Sequence, residues 1–361
     1  MDRNDLTAQL RQSIDQRVAL ETKLQNEPGE LSQSAMRDYD RSYQTLQRQL
    51  AAMFRQATED QQRVTVMLEM MRILENRLVY LQNFVVDPTS ENRVLAQLVT
   101  QFIDDVSRDG ATYLTTLEAT YYRAVAELYA GDVAKARAGF SAACASEESD
   151  EANDIKYKSY VILGHLSHDE ADYAKAKHLH DQSMRYSPNR NVTAQALALK
   201  ALNAYALGEH DDALHLFEES LGLFDENEPF FNSYFYRNAL LFCGAIYFDR
   251  HDYEKASSFY RRVAGNVDQT SFDFFDAHSH LGRIAYAQEQ YEEAVAAFER
   301  AVETHRLSEN EYVVDTWFWL ARCHMRRNDS GAAKKYLEKI AASDVRYERK
   351  PQAMQMLERI A

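Results

Sequence analysis

Apolar residues between positions 36 and 85 recur at alternating steps of three and four, which is the spacing of a coiled-coil seam. Only Asp60 among the seam positions is charged, and neither proline nor glycine interrupts the run. The pattern therefore predicts one long helix with an apolar stripe along its length. The seam consists of Met36, Tyr39, Tyr43, Leu46, Leu50, Met53, Ala57, Asp60, Val64, Met67, Met71, Leu74, Leu78, Leu81 and Val85.

A weaker apolar pattern precedes this helix. Leucines recur within residues 6–24, and Glu27-Pro28-Gly29 then interrupts the chain. We expect this segment to fold back on the first half of the long helix, so that residues 1–86 form a coiled-coil helical hairpin. The second half of the seam then needs a partner, which heptads alone do not fix. It could pack on the rest of the chain, on a second copy or on another protein through Val64, Met67, Met71, Leu74, Leu78 and Leu81.

Beyond the seam, the sequence repeats one frame about every forty residues. Six alanines lie 40, 37, 43, 38 and 39 residues apart, with a larger side chain four residues after each and alanine or glycine twelve before. Small residues let two antiparallel helices approach, and the larger side chain fills the space beside them. The frame predicts six helical hairpins. Its alanines are Ala136, Ala176, Ala213, Ala256, Ala294 and Ala333, and its larger residues are Phe140, His180, Phe217, Tyr260, Phe298 and Leu337.

This frame resembles the tetratricopeptide repeat. Two good copies are Tyr160-x-x-Leu163-Gly164 with Tyr173-x-x-Ala176, and Leu281-Gly282 with Tyr291-x-x-Ala294-x-x-x-Phe298. The copies depart from the family in their period, which exceeds the usual 34 residues, and in His180, which replaces an aromatic residue. The resemblance covers about two-thirds of the chain and implies an all-α fold. In that fold, a right-handed tetratricopeptide solenoid follows the coiled-coil hairpin.

The predicted domain boundaries follow from these patterns. Residues 1–86 form the coiled-coil arm, and Asp87-Pro88 ends it. Residues 87–111 form a linker and a capping helix, and residues 112–345 form the six hairpins. Pro351 begins a final amphipathic helix within 346–361, which we expect to close the apolar face of the last repeat, as terminal repeats must.

Composition and charge narrow the function classes. Only 5 Pro and 11 Gly occur in 361 residues, which favours an almost wholly helical protein. The net charge is −15, of which residues 1–86 carry only −1. An acidic solenoid argues against nucleic acid as a partner. No run of 18 apolar residues and no secretory signal occur, so we expect a cytoplasmic protein without membrane insertion.

The sequence contains no recognisable catalytic constellation. It lacks a phosphate-binding glycine loop, a G-x-S-x-G motif and a C-x-x-C pair, and its three cysteines are not at metal-ligand spacing. We therefore predict a protein that is not an enzyme and that has no cofactor and no metal. His165 and His168 share a helix face, but such spacing alone does not complete a coordination shell. We expect these two to line a groove and His180 to replace an aromatic core residue.

The resemblance implies that function lies on the concave surface formed by the first helix of each repeat. Aromatic and arginine side chains, which often anchor interfaces, dominate that surface. The candidate groove residues are Tyr121, Tyr129, His165, His168, Tyr205, Phe248, Arg283, Tyr286, Phe318, Arg322 and Arg326. Lysine and asparagine are missing from the places where family members that bind chaperone tails carry them, which disfavours that role.

These features predict a non-enzymatic adaptor that binds a peptide or helix of a partner protein in its groove, while the arm dimerises or binds a second partner. The alternative is a peptide-sensing bacterial regulator, because such regulators also join an N-terminal helical bundle to a solenoid of these repeats. A third option is a scaffold whose solenoid builds a larger assembly. An arm that dimerises alone favours the adaptor, and a monomeric arm that moves on peptide binding favours the sensor.

Overall fold

The computed structural model describes residues 3–26, 33–57, 60–80, 90–108, 114–147, 149–224, 234–267, 269, 271–304 and 310–360. Every regular element within these ranges is an α-helix, which confirms the predicted all-α fold class. None of the described helices has the length and apolar character needed to span a bilayer. The chain divides into two compact units, residues 1–231 and 232–361.

The first unit consists of four leading helices followed by three helical hairpins. The leading helices are α1 (Arg3–Asn26), α2 (Gln33–Gln56), α3 (Asp60–Tyr80) and α4 (Ser90–Arg108). Hairpin 1 pairs α5 (Thr116–Ala130) with α6 (Val133–Cys144), hairpin 2 pairs α7 (Asp150–Asp169) with α8 (Tyr173–Met184), and hairpin 3 pairs α9 (Arg190–Ala206) with α10 (His210–Leu223).

The prediction of one long helix from 36 to 85 is wrong. The chain forms two helices there, α2 and α3, which pack against each other and against α1. Helix α3 begins at Asp60, the charged position of the predicted seam. A charged residue is costly inside an apolar seam, so the sequence itself disfavours an uninterrupted seam through this position. Three packed helices thus replace the predicted two-helix hairpin.

The apolar stripe of α3 is buried within the chain itself. Val64, Met67, Met71 and Leu74 are each at most 8% exposed, in a core shared with α4 and the first two hairpins. The Tyr129 hydroxyl of α5 also donates to the Leu74 carbonyl oxygen at 3.0 Å. The rest of the chain therefore covers these four residues, and a homodimer built on them would require this core to open. The Leu78 side chain and Leu81 lie outside the described residues.

The second unit consists of three further hairpins and a closing helix. Hairpin 4 pairs α11 (Tyr234–Asp249) with α12 (Tyr253–Asn266), hairpin 5 pairs α13 (Phe272–Ala287) with α14 (Tyr291–Thr304), and hairpin 6 pairs α15 (Glu311–Arg326) with α16 (Ser330–Ala342). Helix α17 (Lys350–Ile360) packs on α16 and contributes Ala353, Leu357 and Ile360 to the core beneath Phe318 and Leu337. Of the apolar residues that mark this helix in the sequence, Leu357 and Ile360 pack on the last hairpin, whereas Met354 is 40% exposed.

Each of the six hairpins turns through a residue with positive φ, five positions before the frame alanine. Two of these residues are glycine, which adopts the left-handed conformation without steric penalty, whereas the others adopt it at some cost. An aspartate follows the turn in four hairpins, and its side chain accepts the backbone N–H three residues later, which fixes the start of the second helix. The turn residues are Gly131, Ala171, Gly208, His251, Glu289 and Asn328.

The small and large positions of the frame meet in space. A Cβ atom placed on Gly282 would lie 2.7 Å from Cδ1 of Phe298, and one on Gly244 would lie 2.9 Å from Cζ of Tyr260. In hairpin 2 the imidazole of His180 lies against Gly164 in the same way. The two helices of these hairpins can approach this closely only because glycine has no side chain, which is the physical reason for the small–large spacing.

Candidate functional site

The first hairpin does not offer the open groove that the sequence predicts. Tyr121 and Tyr129 are each about 1% exposed, because α3 packs against α5 and covers them. Phe318 of α15 is buried to the same degree, in the core that Leu337 and Tyr347 share with it. The prediction that these three rings line an accessible surface is therefore wrong.

A polar network joins α3 to the first two hairpins. The ammonium group of Lys158 in α7 lies 2.6 Å from Oε1 of Glu75 in α3, and the Tyr121 hydroxyl donates to the same oxygen at 3.3 Å. Asp154 is a second partner of Lys158, at 2.6 Å. Burial alone would lower the pKa of Lys158, but the two carboxylates together raise it well above its usual value. Lys158 is thus a fixed cation that holds α3 against hairpin 2.

The candidate histidines of hairpin 2 are half-buried and packed against neighbouring rings. Nδ1 of His168 lies 2.9 Å from Oδ1 of Asn203 in hairpin 3. The ring of His165 meets that of His180 edge-on, with ring centres 5.5 Å apart. Burial lowers the pKa of His165 to about 3, so this side chain is neutral at pH 7. Among the described residues, no three His, Cys, Asp or Glu side chains are placed to hold a metal ion.

Four candidate groove residues make a ring contact across the turn of their own hairpin. Each lies near the end of the first helix of its hairpin. Its ring contacts the ring of the first residue of the second helix, five positions later in the sequence. Such ring pairs stabilise the turn, which sequence reasoning did not foresee. The pairs and their centroid distances are His168–Tyr173 at 5.2 Å, Tyr205–His210 at 4.9 Å, Phe248–Tyr253 at 5.8 Å and Tyr286–Tyr291 at 5.5 Å.

The second unit gathers three arginines around one indole ring. The guanidinium carbon lies 4.7 Å from the Trp319 ring centre for Arg322, 5.5 Å for Arg283 and 5.8 Å for Arg349. These arginines come from α15, from α13 and from the segment just before α17. We call this group, together with Tyr286 and Asp315, the Trp319 shelf.

Asp315 is the carboxylate at the centre of the shelf. Its Oδ2 accepts from Arg283 at 2.5 Å and from Nε1 of Trp319 at 3.1 Å. Its Oδ1 accepts from the Tyr347 hydroxyl at 2.7 Å and from Arg349 at 3.3 Å. A carboxylate offers about four acceptor positions, so Asp315 uses its full capacity on residues of its own chain.

Arg322 is different from its two neighbours. It lies above the rings of Trp319 and Tyr286, at 4.7 and 4.9 Å, and no carboxylate among the described residues pairs with it. Arg326, one helical turn further along α15, is exposed. The two thus form a cationic edge on an aromatic surface, with guanidinium donors left for a ligand.

Part of this shelf, and the neighbouring Arg326, could be predicted from the sequence. Sequence reasoning named Arg283, Tyr286, Arg322 and Arg326, which the structure brings together, and it omitted Trp319. The steps of four, three and four from Asp315 through Trp319 to Arg322 and Arg326 place all four on one helix face, so that signal was present. No local pattern indicates that Arg349 folds back onto Asp315, because 34 residues separate them.

The comparisons with known proteins identify the repeats. Residues 198–271 and 280–353 match the family model of the tetratricopeptide repeat, so the chain contains tetratricopeptide repeats over these segments. The first matched segment includes most of hairpin 3 and all of hairpin 4. The second includes most of hairpin 5 and all of hairpin 6. No curated protein matches the chain by sequence.

The chain is similar to solved structures at low sequence identity. A signal transduction ATPase with numerous domains from Pyrococcus horikoshii, which has a tetratricopeptide repeat sensor, is similar with a TM-score of 0.57 and 15% identity; the match covers 88% of this chain and 49% of that one. BtubC from P. vanneervenii has a TM-score of 0.49 and 15% identity, over 68% of this chain and 93% of that one. The first likeness supports a tetratricopeptide-type fold, and tetratricopeptide repeats are protein interaction modules.

Proposed function

We propose that this protein is a non-enzymatic interaction scaffold that holds a peptide or helix of a partner protein against the first helices of hairpins 5 and 6. The observation that carries the proposal is Arg322, a cation above two aromatic rings that has no carboxylate partner among the described residues. A partner carboxylate would supply that missing charge.

Elementary energetics support this surface as a binding site. A cation above aromatic rings is held in place by their quadrupoles, at about 0.5–2 kcal/mol, so little side-chain entropy remains to be lost on binding. A hydrogen bond between such an arginine and a carboxylate contributes about 1.5–3 kcal/mol. The half-buried face of Trp319 and the Tyr286 ring offer apolar contact beside the charge. Rigid rings with an adjacent arginine are the usual composition of interface anchors.

Selection from a random dodecapeptide display library on the full chain tests the proposal. We expect enriched peptides whose binding is lost in the double variant Arg322→Gln, Arg326→Gln. The matched control is Arg261→Gln, which removes an exposed arginine from α12, the second helix of hairpin 4. Binding should survive in the control, and thermal unfolding of both variants should stay within a few degrees of the parent. Enriched peptides that bind the double variant equally well would move the search to hairpin 3 or to the leading helices.

The alternative function, a peptide sensor in which ligand binding repositions the N-terminal helices, is supported by one observation. The Lys158–Glu75 pair joins α3 to the first helix of hairpin 2, so a change in hairpin 2 would reach α3 directly. Hydrogen exchange of α3 with and without a selected peptide separates the two functions. Exchange in α3 that changes on binding favours the sensor, and exchange that does not change favours the scaffold.

The remaining proposals concern oligomeric state and compartment. We propose a protein partner rather than nucleic acid, since the net charge is −15. A homodimer would have to use a surface other than the four buried stripe residues of α3. Cytoplasmic residence is supported by the cysteines, because Cys243 and Cys323 are buried and form no disulfide, as is usual for structural cysteines of a reducing compartment.

A further inference from the structure

The charges around Trp319 do not cancel. Arg283, Arg322 and Arg349 place three positive charges at the ring, and Asp315 supplies one negative charge between two of them. The charge balance of the shelf therefore depends on which other titratable groups lie beside these arginines.

Two such groups, Asp276 and His280, lie one helical turn apart on α13, 3.6 Å from each other, and both interact with Arg283. Burial lowers the pKa of His280 to about 4, so the imidazole is neutral at pH 7. Burial raises the pKa of Asp276 to about 6, which leaves this carboxyl mostly ionised at pH 7. The two residues thus add one negative charge and no positive charge, so these six side chains keep one net positive charge. The exposed Arg326 lies one helical turn beyond Arg322, outside this group.

We infer that Asp315 sets the charge selectivity of the Trp319 shelf, so that it takes a peptide segment with a single carboxylate side chain beside an apolar residue. The inference rests on the proposed function and names its ligand class. Asp315 holds Arg283 and Arg349 as internal ion pairs, and Arg322 is left to bind one external carboxylate.

The same arrangement disfavours ligands of higher charge. A phosphorylated side chain carries about −1.5 to −2 at pH 7 and needs two or more unpaired cations close together. Of the three arginines at the Trp319 ring, Arg322 is the one without a carboxylate partner among the described residues. On the shelf, two of the three guanidinium groups already bind Asp315, at 2.5 and 3.3 Å. The chain is acidic overall, with a net charge of −15, which adds repulsion for a multiply charged segment.

The test compares peptides selected on the parent chain with peptides selected on Asp315→Asn, from the same dodecapeptide library. The variant keeps the shape of the side chain and removes its charge, so Arg283 and Arg349 become available to a ligand. We expect the parent to select one acidic residue next to an aliphatic or aromatic one. The variant should select paired acidic residues, and its preference for a two-glutamate peptide over the one-glutamate peptide should rise about tenfold.

Arg349→Gln provides a second measurement that does not alter Asp315. It removes one cation, so selectivity for acidic peptides should weaken, and it keeps the inference testable if Asp315→Asn unfolds. Equal numbers of acidic residues in peptides from all three proteins would overturn the inference. Non-acidic peptides that still need Arg322 would also overturn it, while the proposed function would stand. Peptides that bind without Arg322 and Arg326, or no enrichment at all, would instead contradict the proposed function.

Discussion

The His180 imidazole lies directly against Gly164, where hairpins 4 and 5 place the rings of Tyr260 and Phe298 against glycine. His180 is fully buried, and neither ring nitrogen has a hydrogen-bond partner among the described residues. A buried polar group without a partner costs about 1–3 kcal/mol. Hairpin 2 therefore carries a polar ring at a position that needs only an apolar one.

Replacing His180 by Phe should stabilise the protein by about 1–2 kcal/mol, because the buried nitrogen atoms are removed and the ring remains. Urea unfolding monitored by circular dichroism measures the change. The matched control is Phe298→His, which creates the same situation in hairpin 5 and should destabilise. A loss of stability in His180→Phe would mean that the imidazole makes a polar contact essential to hairpin 2.

Stability should also fall as the pH decreases below about 6.5. Burial lowers the pKa of His180 well below its ordinary value and that of His165 to about 3. A histidine with a depressed folded-state pKa contributes stability that is present above its unfolded pKa of about 6.5 and is lost as the pH falls toward its folded pKa. Melting curves between pH 7.5 and 4.5 should show this loss, with a smaller slope in His180→Phe. An identical slope in both proteins would assign the effect to other groups.

Gly282 should not tolerate even a methyl group. A Cβ atom there would lie 2.7 Å from Cδ1 and Cε1 of Phe298, whose ring is fully buried and cannot move aside. We expect Gly282→Ala to cost about 1–3 kcal/mol through overpacking. Gly265→Ala is the control, since nothing lies within 4 Å of a Cβ at that helical position. The control should gain about 0.5–1 kcal/mol, and a similar gain in Gly282→Ala would contradict the close contact.

The turn of hairpin 5 stores backbone strain that glycine would relieve. Glu289 has a φ of 63°, a left-handed conformation that costs a residue with a side chain about 1–2 kcal/mol. Glu289→Gly should therefore raise the melting temperature, whereas Gln288→Gly, with an ordinary φ of −87°, should lower it. In hairpin 3 the reverse change, Gly208→Ala at a φ of 78°, should destabilise. A destabilised Glu289→Gly would show that the carboxylate contributes more than the strain costs.

The repeats could be predicted from the sequence because their determinants are local. The frame that contains Gly282, Ala294 and Phe298 fixes which residues meet within one hairpin, and the structure has these contacts. The fold of the leading helices could not be predicted in full, because a heptad pattern is equally compatible with one long helix and with two that pack on each other. Likewise, Arg349 joins the shelf through a contact distant in sequence, which no periodicity encodes.

The last prediction concerns the stripe of α3, whose partner the heptads left open. Met71 is about 1% exposed in the core shared with α4 and the first hairpins, so a charge placed there has no route to water. We expect Met71→Glu to lose at least about 3 kcal/mol of stability, or to fail to fold. If the variant folds, it should have the same oligomeric state as the parent chain. Unfolding in urea and light scattering measure the two quantities. The matched control is Val94→Glu in α4, a residue that is 49% exposed and should accept the charge within about 0.5 kcal/mol. A dimeric parent chain that Met71→Glu converts into a stable monomer would show that the stripe binds a second copy instead.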